Sequence, residues 1–358
     1  MTVKRIHIRT LNLDELKAHI IGLGEPAFRA KQVYEWVWKK QVTSFEEMPN
    51  IGKQLQEKLA ETYFFDGLTV EDQQISTDKT IKCAFGIDGQ TQVIEGVLIP
   101  TTSRMTACIS SQVGCSLACA FCATGRLKMM QNLSAGEIVD QVLYLKNLAA
   151  TKYDTSLTNI VYMGMGEPLL NYKNVVKSTE ILTDPNGLAM SPKRITVSTA
   201  GIAKMIKKLG DDDVKFNLAI SLHAANDKKR HKIMEINETN NLEALSEALV
   251  YFHEKTGSRI TFEYIIFKDF NDQLEDAREL AEFAKAVPCK INIIEYNPID
   301  GGIYQQADRQ KVDDFAAFLE EKCNLIVNVR RSRGKDIDAA CGQLANKNKL
   351  IDKRILKD

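Results

Sequence analysis

Cys115, Cys119 and Cys122 stand in the run CISSQVGCSLACAFCATG with the spacing C-x3-C-x2-C, and Cys108 opens the same run. Thiols crowded this way are metal ligands first, because in a reducing compartment a disulfide framework is not expected. A structural zinc site asks for four protein ligands. Here the fourth is found only if Cys108, inside a strand-like stretch, turns back to join the loop. A cubane iron–sulfur cluster can instead be held by three cysteines, leaving one iron without a protein ligand. Such an iron can be chelated by the amino and carboxylate groups of a small molecule. Spacing alone leaves both readings open and favours the cubane.

Other residues gather where alternating folds do chemistry, at the ends of strand-like runs. Gly164-Met165-Gly166-Glu167 ends one run, Ser198 another, Ser221-Leu222-His223 a third and Asn297-Pro298 a fourth. Gly166 allows close backbone approach and Glu167 can accept from an amino group. Taken singly, each has an ordinary reading: a glycine–glutamate turn, a satisfied structural histidine. Glu95 in VIEGVLIP and Cys341 in DIDAACGQL are likewise unremarkable alone, as an outward strand carboxylate and a half-buried helix cysteine. Cys83, Cys289 and Cys323 read as small buried hydrophobes.

The elements that must position these residues show a clear pattern. Asn12 with Glu15 forms a capping arrangement for a first helix, and FRAKQVYEWVWKK reads as a second, with Phe28, Val33, Trp36 and Val37 on one side. A third helix is predicted over residues 50–62. Strands follow near 68–75, 79–87 and 90–98, with Asp88-Gly89 as a hairpin turn. From residue 104 strands and helices alternate: MTACIS, TNIVYMG, RITVSTA, VKFNLAISL, RITFEYIIF and KINIIEYN, with LIVNVR as a candidate seventh strand. Helical patterns lie between them, the first opened by the capping box Ser134 and Glu137. Alternation argues for parallel strands with right-handed crossovers. No GxGxxG opens a helix after the first strand, so the expected α/β fold is a partial barrel rather than a doubly wound sheet.

The segments CISSQVGCSLACAFCATG, MGMGEPLLN, ITVSTAG, SLHA, YNP and DIDAACGQL resemble, in order and spacing, the bacterial 23S ribosomal RNA adenine-C2 methyltransferases of the radical S-adenosylmethionine (SAM) superfamily. The similarity extends from the N-terminal helices to about residue 345. It implies a partial (β/α)6 barrel with a small N-terminal α+β accessory domain. It implies a [4Fe–4S] cluster on Cys115, Cys119 and Cys122, and SAM held by Gly166, Glu167, Ser198, Ser221, Leu222, His223 and Asn297. Two SAM molecules are consumed per turnover in this scheme. One methylates Cys341; the other yields the radical that activates that methyl group for addition to C2. Cys108 then releases the product through a transient disulfide with Cys341, and Glu95 accepts the C2 proton. The implied partners are 23S ribosomal RNA at the peptidyl-transferase centre, transfer RNA as a further substrate, a flavodoxin- or ferredoxin-like electron donor and a disulfide reductant. Related C8-methylating enzymes share the cluster and both cysteines. A non-catalytic iron–sulfur RNA-binding or redox module is the alternative from another class.

The whole chain is compatible with this. It has 358 residues, 44% hydrophobic and 26% charged, with zero formal net charge. That is ordinary globular composition, and it advertises no nucleic acid. From Arg330 onward, nine basic residues face four acidic ones, a local patch that suits phosphate but more often just solvates a terminus. No N-terminal apolar stretch suggests a signal peptide and no run is long enough to span a bilayer, so the expected location is the cytoplasm. The expected divisions are an accessory domain over 1–98, which with the basic tail is the expected phosphate contact, the barrel over 99–330 and a tail over 331–358 carrying Cys341.

Overall fold

The computed structural model describes residues 5–65, 67–87 and 92–345. The Asp88-Gly89 turn and the basic residues Lys347, Lys349, Lys353, Arg354 and Lys357 lie outside them.

A short parallel pair, β1 (Ile6–His7) and β2 (Tyr63–Phe64), brackets the N-terminal helices α1 (Leu13–Gly22), α2 (Phe28–Glu35) and α3 (Lys53–Thr62). The capping box of α1 is formed: Glu15 N–H donates to Asn12 at 2.8 Å, and Asn12 N–H to the Glu15 carboxylate at 2.7 Å. After α2 the chain continues as a π turn over Trp36–Lys40. Across that wider turn Trp38 joins Val33 and Val37 in the core, while Phe28, at the first position of α2, is exposed under the guanidinium of Arg29. The helical module is tied to the rest of the molecule by the Tyr34 hydroxyl, which donates to Asp184 at 2.6 Å, and by a buried carboxylate. Asp140 meets His7 Nε2 at 2.8 Å, Arg9 at 2.9 Å and Gly67 N–H at 3.0 Å.

The main sheet has ten strands. In sequence they are β3 (Leu68–Ile75), β4 (Ile81–Ile87), β5 (Val93–Pro100), β6 (Met105–Cys108), β9 (Asn159–Tyr162), β10 (Ile195–Thr199), β11 (Asn217–Ser221), β12 (Ile260–Ile266), β13 (Cys289–Glu295) and β14 (Val327–Arg330). Two more, β7 (Gln112–Val113) and β8 (Gln131–Asn132), form a separate antiparallel pair. The order across the sheet is β14-β13-β12-β11-β10-β9-β6-β5-β4-β3. From β6 to β14 every neighbour is parallel; from β6 back to β3 every neighbour is antiparallel. The seventh strand of the alternating region is present as β14. The order has two ends, as a partial barrel requires. All seven residues of β12 are buried, which is why RITFEYIIF reads as a continuous apolar run rather than an alternating one.

Helices α4 (Ala135–Tyr153), α5 (Tyr172–Thr183), α6 (Ala203–Asp211), α8 (Leu242–Thr256), α9 (Leu274–Ala284) and α10 (Arg309–Glu321) make the crossovers, joined by a short α7 (Asp227–Ile233). The capping box of α4 is formed by Ser134 and Glu137. The division at 98/99 runs through β5, whose Val97 is in register with Cys108 of β6. The accessory strands and the barrel strands therefore share one sheet. Cys83 is fully buried on β4, but Cys289 and Cys323 are only half-buried, because they sit at element ends rather than within the core.

Candidate active site

The cysteine loop leaves the sheet after β6 and is closed at its base by the β7–β8 pair. Within it Ala118 adopts φ 49°, and a Cβ on Gly125 would stand 3.0 Å from Cys119 N, so the turn is tight around its middle cysteine. Cys122 N–H donates to Cys119 carbonyl at 3.1 Å, and Ala120 N–H to Ile233 carbonyl at 3.0 Å. Phe121 anchors the loop in an apolar cluster with Ile233, Met234, Ile265 and Tyr296. Its ring lies edge-on to His223 at 4.6 Å.

Burial pushes the Cys115 thiol up to about 11, and Cys119 and Cys122 also upward; Cys119 is raised further by the nearby sulfurs of Cys122 and Cys115. The three thiols thus share one electrostatic neighbourhood in which thiolates are costly without a positive centre. Among the described residues no three His, Cys, Asp or Glu side chains converge as the ligands of one ion would. Three thiols presented by one loop are the donor set a cubane can take while leaving one iron open, whereas a closed zinc site takes four protein ligands.

The Gly164–Glu167 turn folds against residues 109–112. Met165 carbonyl accepts from Ser111 and Gln112 N–H at 2.8 and 3.2 Å, and Glu167 N–H donates to Gln112 Oε1 at 2.8 Å. Gly166 has φ 95°, and a Cβ there would meet Gln112 Cβ at 2.5 Å. The Glu167 carboxylate accepts from Leu169 N–H at 3.0 Å and Ala200 N–H at 2.8 Å. Burial raises its pKa, against those hydrogen bonds. It lies close enough to raise Cys115 and Cys119 as well, so carboxylate and cysteine loop face one space.

Ser198 on β10 is in register with Ala219, two residues before Ser221 on β11. Leu222 is fully buried, its N–H donating to the Glu263 carbonyl at 3.0 Å and its carbonyl accepting from Ala224 N–H at 2.7 Å. His223 is held at φ 55°, and its Nδ1 accepts from Ile265 N–H at 3.1 Å. Burial, aided by Arg230, lowers its pKa to about 3, so the ring is neutral and packs Phe121 in place. Asn297 Nδ2 donates to Cys341 carbonyl at 3.3 Å, while its buried Oδ1 has no partner among the described residues. An orphaned buried acceptor asks for a donor from a bound molecule, which suits the amino-bearing cofactor implied by the loop.

Cys108 and Cys341, far apart in sequence, lie near enough to influence one another electrostatically. Burial pushes the Cys108 thiol up to about 12, the Cys341 sulfur adds to this, and the Arg330 guanidinium opposes it. Cys341 is exposed and lies in a turn rather than a helix. Ala123 N–H donates to Gly342 carbonyl at 2.7 Å, and Thr124 hydroxyl to Leu344 carbonyl at 2.6 Å, binding the Cys341 segment to the cysteine loop. Glu95, fully buried rather than on an outward face, accepts from Ala345 N–H at 2.9 Å and lies 3.5 Å from Lys82 Nζ.

Sequence reasoning missed several supporting residues. Arg230 is fully buried near Cys119; it donates to Ala200 carbonyl at 2.6 Å, Leu222 carbonyl at 3.3 Å and Asn237 Oδ1 at 2.7 Å. In DKKRHK it is one cation among several, and nothing local marks it as the inward one. Gln112, Lys82 and Arg330 are equally plain in sequence. The last forms an ion pair with Glu263 at 2.9 Å.

Residues 6–64 match the family model of the ribosomal RNA large subunit methyltransferase N-terminal domain, and residues 109–284 that of the radical SAM superfamily. A Cytophaga hutchinsonii protein described as a probable dual-specificity RNA methyltransferase RlmN is 56% identical, covering 96% of this chain and 94% of its own. A dual-specificity RNA methyltransferase RlmN of Campylobacter fetus is 42% identical, covering 94% of this chain and 98% of its own. The crystal structure of a radical SAM methyltransferase from Sphaerobacter thermophilus superposes with a TM-score of 0.90 at 35% identity, over 95% of this chain and 99% of that one.

Proposed function

This chain belongs to the radical SAM RNA methyltransferases of the RlmN type, and on that premise we propose that it methylates C2 of an adenine in 23S ribosomal RNA, at the peptidyl-transferase centre. A transfer RNA adenine is the second substrate, a reading supported by the dual specificity named for the relatives. The observation that supports the scheme most is the pairing of two thiol sets: three in one loop beside Glu167, and Cys108 with Cys341 alongside.

In this reading Cys115, Cys119 and Cys122 hold the [4Fe–4S] cluster. Gly166, Glu167, Ser198, Ser221, Leu222, His223 and Asn297 line the SAM site. When bound there, cluster and SAM supply the electron and the hydrogen-abstracting radical that make a methyl group reactive toward carbon. Adenine C2 lies between two ring nitrogens and has no lone pair with which to attack a sulfonium, so a polar methyl transfer is poorly matched to it. Cys341 first takes the methyl group on its sulfur and presents it to the base. Glu95 accepts the proton that leaves C2. Cys108, as its thiolate, attacks the Cys341 sulfur; the bond from sulfur to the transferred carbon breaks with its electron pair left on that carbon, which takes up a proton to become the methyl group, and a disulfide forms that a reductant reopens. Two SAM molecules are used per base. The substrate adenine must be unstacked, because its ring carbon is otherwise covered. The electron donor is flavodoxin- or ferredoxin-like. No described helix is long and apolar enough to cross a membrane, which accords with a cytoplasmic enzyme.

The test is anaerobic reconstitution followed by assay on ribosomal and transfer RNA fragments with labelled SAM. Mass spectrometry should place the new methyl on C2. A methyl on C8 refutes the regiochemistry, and zinc binding without 5′-deoxyadenosine formation under reduction refutes the chemistry.

A further inference from the structure

Lys82 lies on β4 with its ammonium inside the molecule, 4% exposed. Its Nζ stands 3.5 Å from Glu95 Oε1 and 3.5 Å from the Asp338 carbonyl. The other Glu95 oxygen accepts from Ala345 N–H at 2.9 Å. The segment from 338 to 345, with Cys341 inside it, is therefore fastened at both ends to one buried acid–base pair. Its stem is fastened separately. Gly334 N–H donates to Asp78 at 2.9 Å, and Asp336 accepts from Ser76 hydroxyl at 2.5 Å and Thr77 N–H at 3.0 Å. A buried ammonium needs a charged partner, and an ionised carboxylate accepts a backbone N–H more strongly than a neutral acid does. Both fastenings thus depend on the charge of Glu95.

We propose that Lys82 is a positioning residue which, with Glu95, clamps the Cys341 segment, and that proton transfer to Glu95 opens the clamp. The inference rests on the reading of Glu95 as proton acceptor and Cys341 as methyl carrier. The proton leaves C2 for a Glu95 oxygen, and the electron pair of the broken C–H bond stays with the ring. The neutral acid then loses its ion pair with Lys82 and holds Ala345 less firmly. The two ends of the segment are held until the base has lost its proton and loosen afterwards, about a middle that Ala123 and Thr124 keep on the cysteine loop, when Cys341 must meet a reductant and a fresh methyl donor.

Hydrogen exchange on the full chain, with and without reconstituted cluster, tests this through the peptide spanning 338–345. Glu95→Gln mimics the protonated state and should speed exchange there at least tenfold, leaving residues 76–80 unchanged. Lys82→Met should do the same, Lys82→Arg should restore most protection, and the double variant Lys82→Met with Glu95→Gln should exceed neither single one. Exchange unchanged within twofold in both single variants, or single effects that simply multiply in the double, would overturn the clamp. Should Lys82→Met fail to fold, Lys82→Arg against Glu95→Gln decides: protection kept in the first and lost in the second supports the clamp, and any other pattern refutes it. Lost methylation with unchanged exchange in Glu95→Gln keeps the base and removes the clamp. Faster exchange with methylation intact removes the base, and with it the trigger.

Discussion

The amide of Ala123, one residue past Cys122, donates to the carbonyl of Gly342, one residue past Cys341. This backbone bond ties the segments of two thiols with separate tasks in the proposed reaction, beside the side-chain bond from the Thr124 hydroxyl to the Leu344 carbonyl. Gly342 has φ 82°, and a Cβ there would stand 3.2 Å from the Phe121 carbonyl.

Gly342→Val should therefore unseat the Cys341 segment at a cost of about 1–2 kcal/mol, the penalty of a left-handed conformation for a residue with a branched side chain. Methylation should drop about tenfold at that level. Iron and sulfide content, measured on the reconstituted variant, should stay at the parent value.

Cys108→Ala should leave the RNA attached to the protein through Cys341, since no thiol remains to break that bond. Denaturing gel electrophoresis with labelled RNA should show a covalent band. Cys341→Ala should show neither band nor product yet retain the cluster, whereas Cys119→Ala should lose it.

Gly166→Ala places a Cβ 2.5 Å from that of Gln112 at φ 95°. The turn must open or Gln112 must leave Glu167, a disturbance of about 2–4 kcal/mol. SAM binding, followed by equilibrium dialysis, should weaken at least tenfold, with the melting temperature lowered.

Arg230→Met removes the donor to the Ala200 and Leu222 carbonyls and to Asn237, leaving buried acceptors unpaired. The expected loss is about 3 kcal/mol in urea unfolding. Arg230→Lys should recover only part of it, because one ammonium does not reproduce the planar fork.

His223 is neutral when folded, with its pKa near 3 against an ordinary value of 6.5. Between those values the unfolded chain binds the extra proton, so the stability due to this group is complete above about pH 6.5. It falls on acidification toward pH 3 by up to about 1.4 kcal/mol per pH unit. Denaturant unfolding across that range should show a slope that His223→Gln reduces.

Much of the fold is legible in sequence because strong local signals agree with the tertiary structure. The Ser134–Glu137 box opens α4, and the run TNIVYMG contains β9 (Asn159–Tyr162). Phe28 faces outward because five residues of regular α-helix set it about 140° around the axis from Val33, so the two do not share a face. Glu95 reads as outward because β5 looks like an outer hairpin strand. It is inward because the Cys341 segment, some 250 positions later, covers it. Arg230 and Lys82 stayed hidden for the same reason: a buried charge is marked by its partners, and these come from distant parts of the chain.

The shared ten-stranded sheet has a practical consequence for dissecting the molecule. A fragment starting at residue 99 would strip β6 of its neighbour β5 and offer an open backbone edge to any other copy, inviting aggregation. In the intact chain that edge is moved outward to β3. There a bulge between Val70 and Asp72, with Glu71 and Asp72 on the strand, discourages further strand addition. The N-terminal strands thus act as a selvedge, finishing a fabric that would otherwise keep growing.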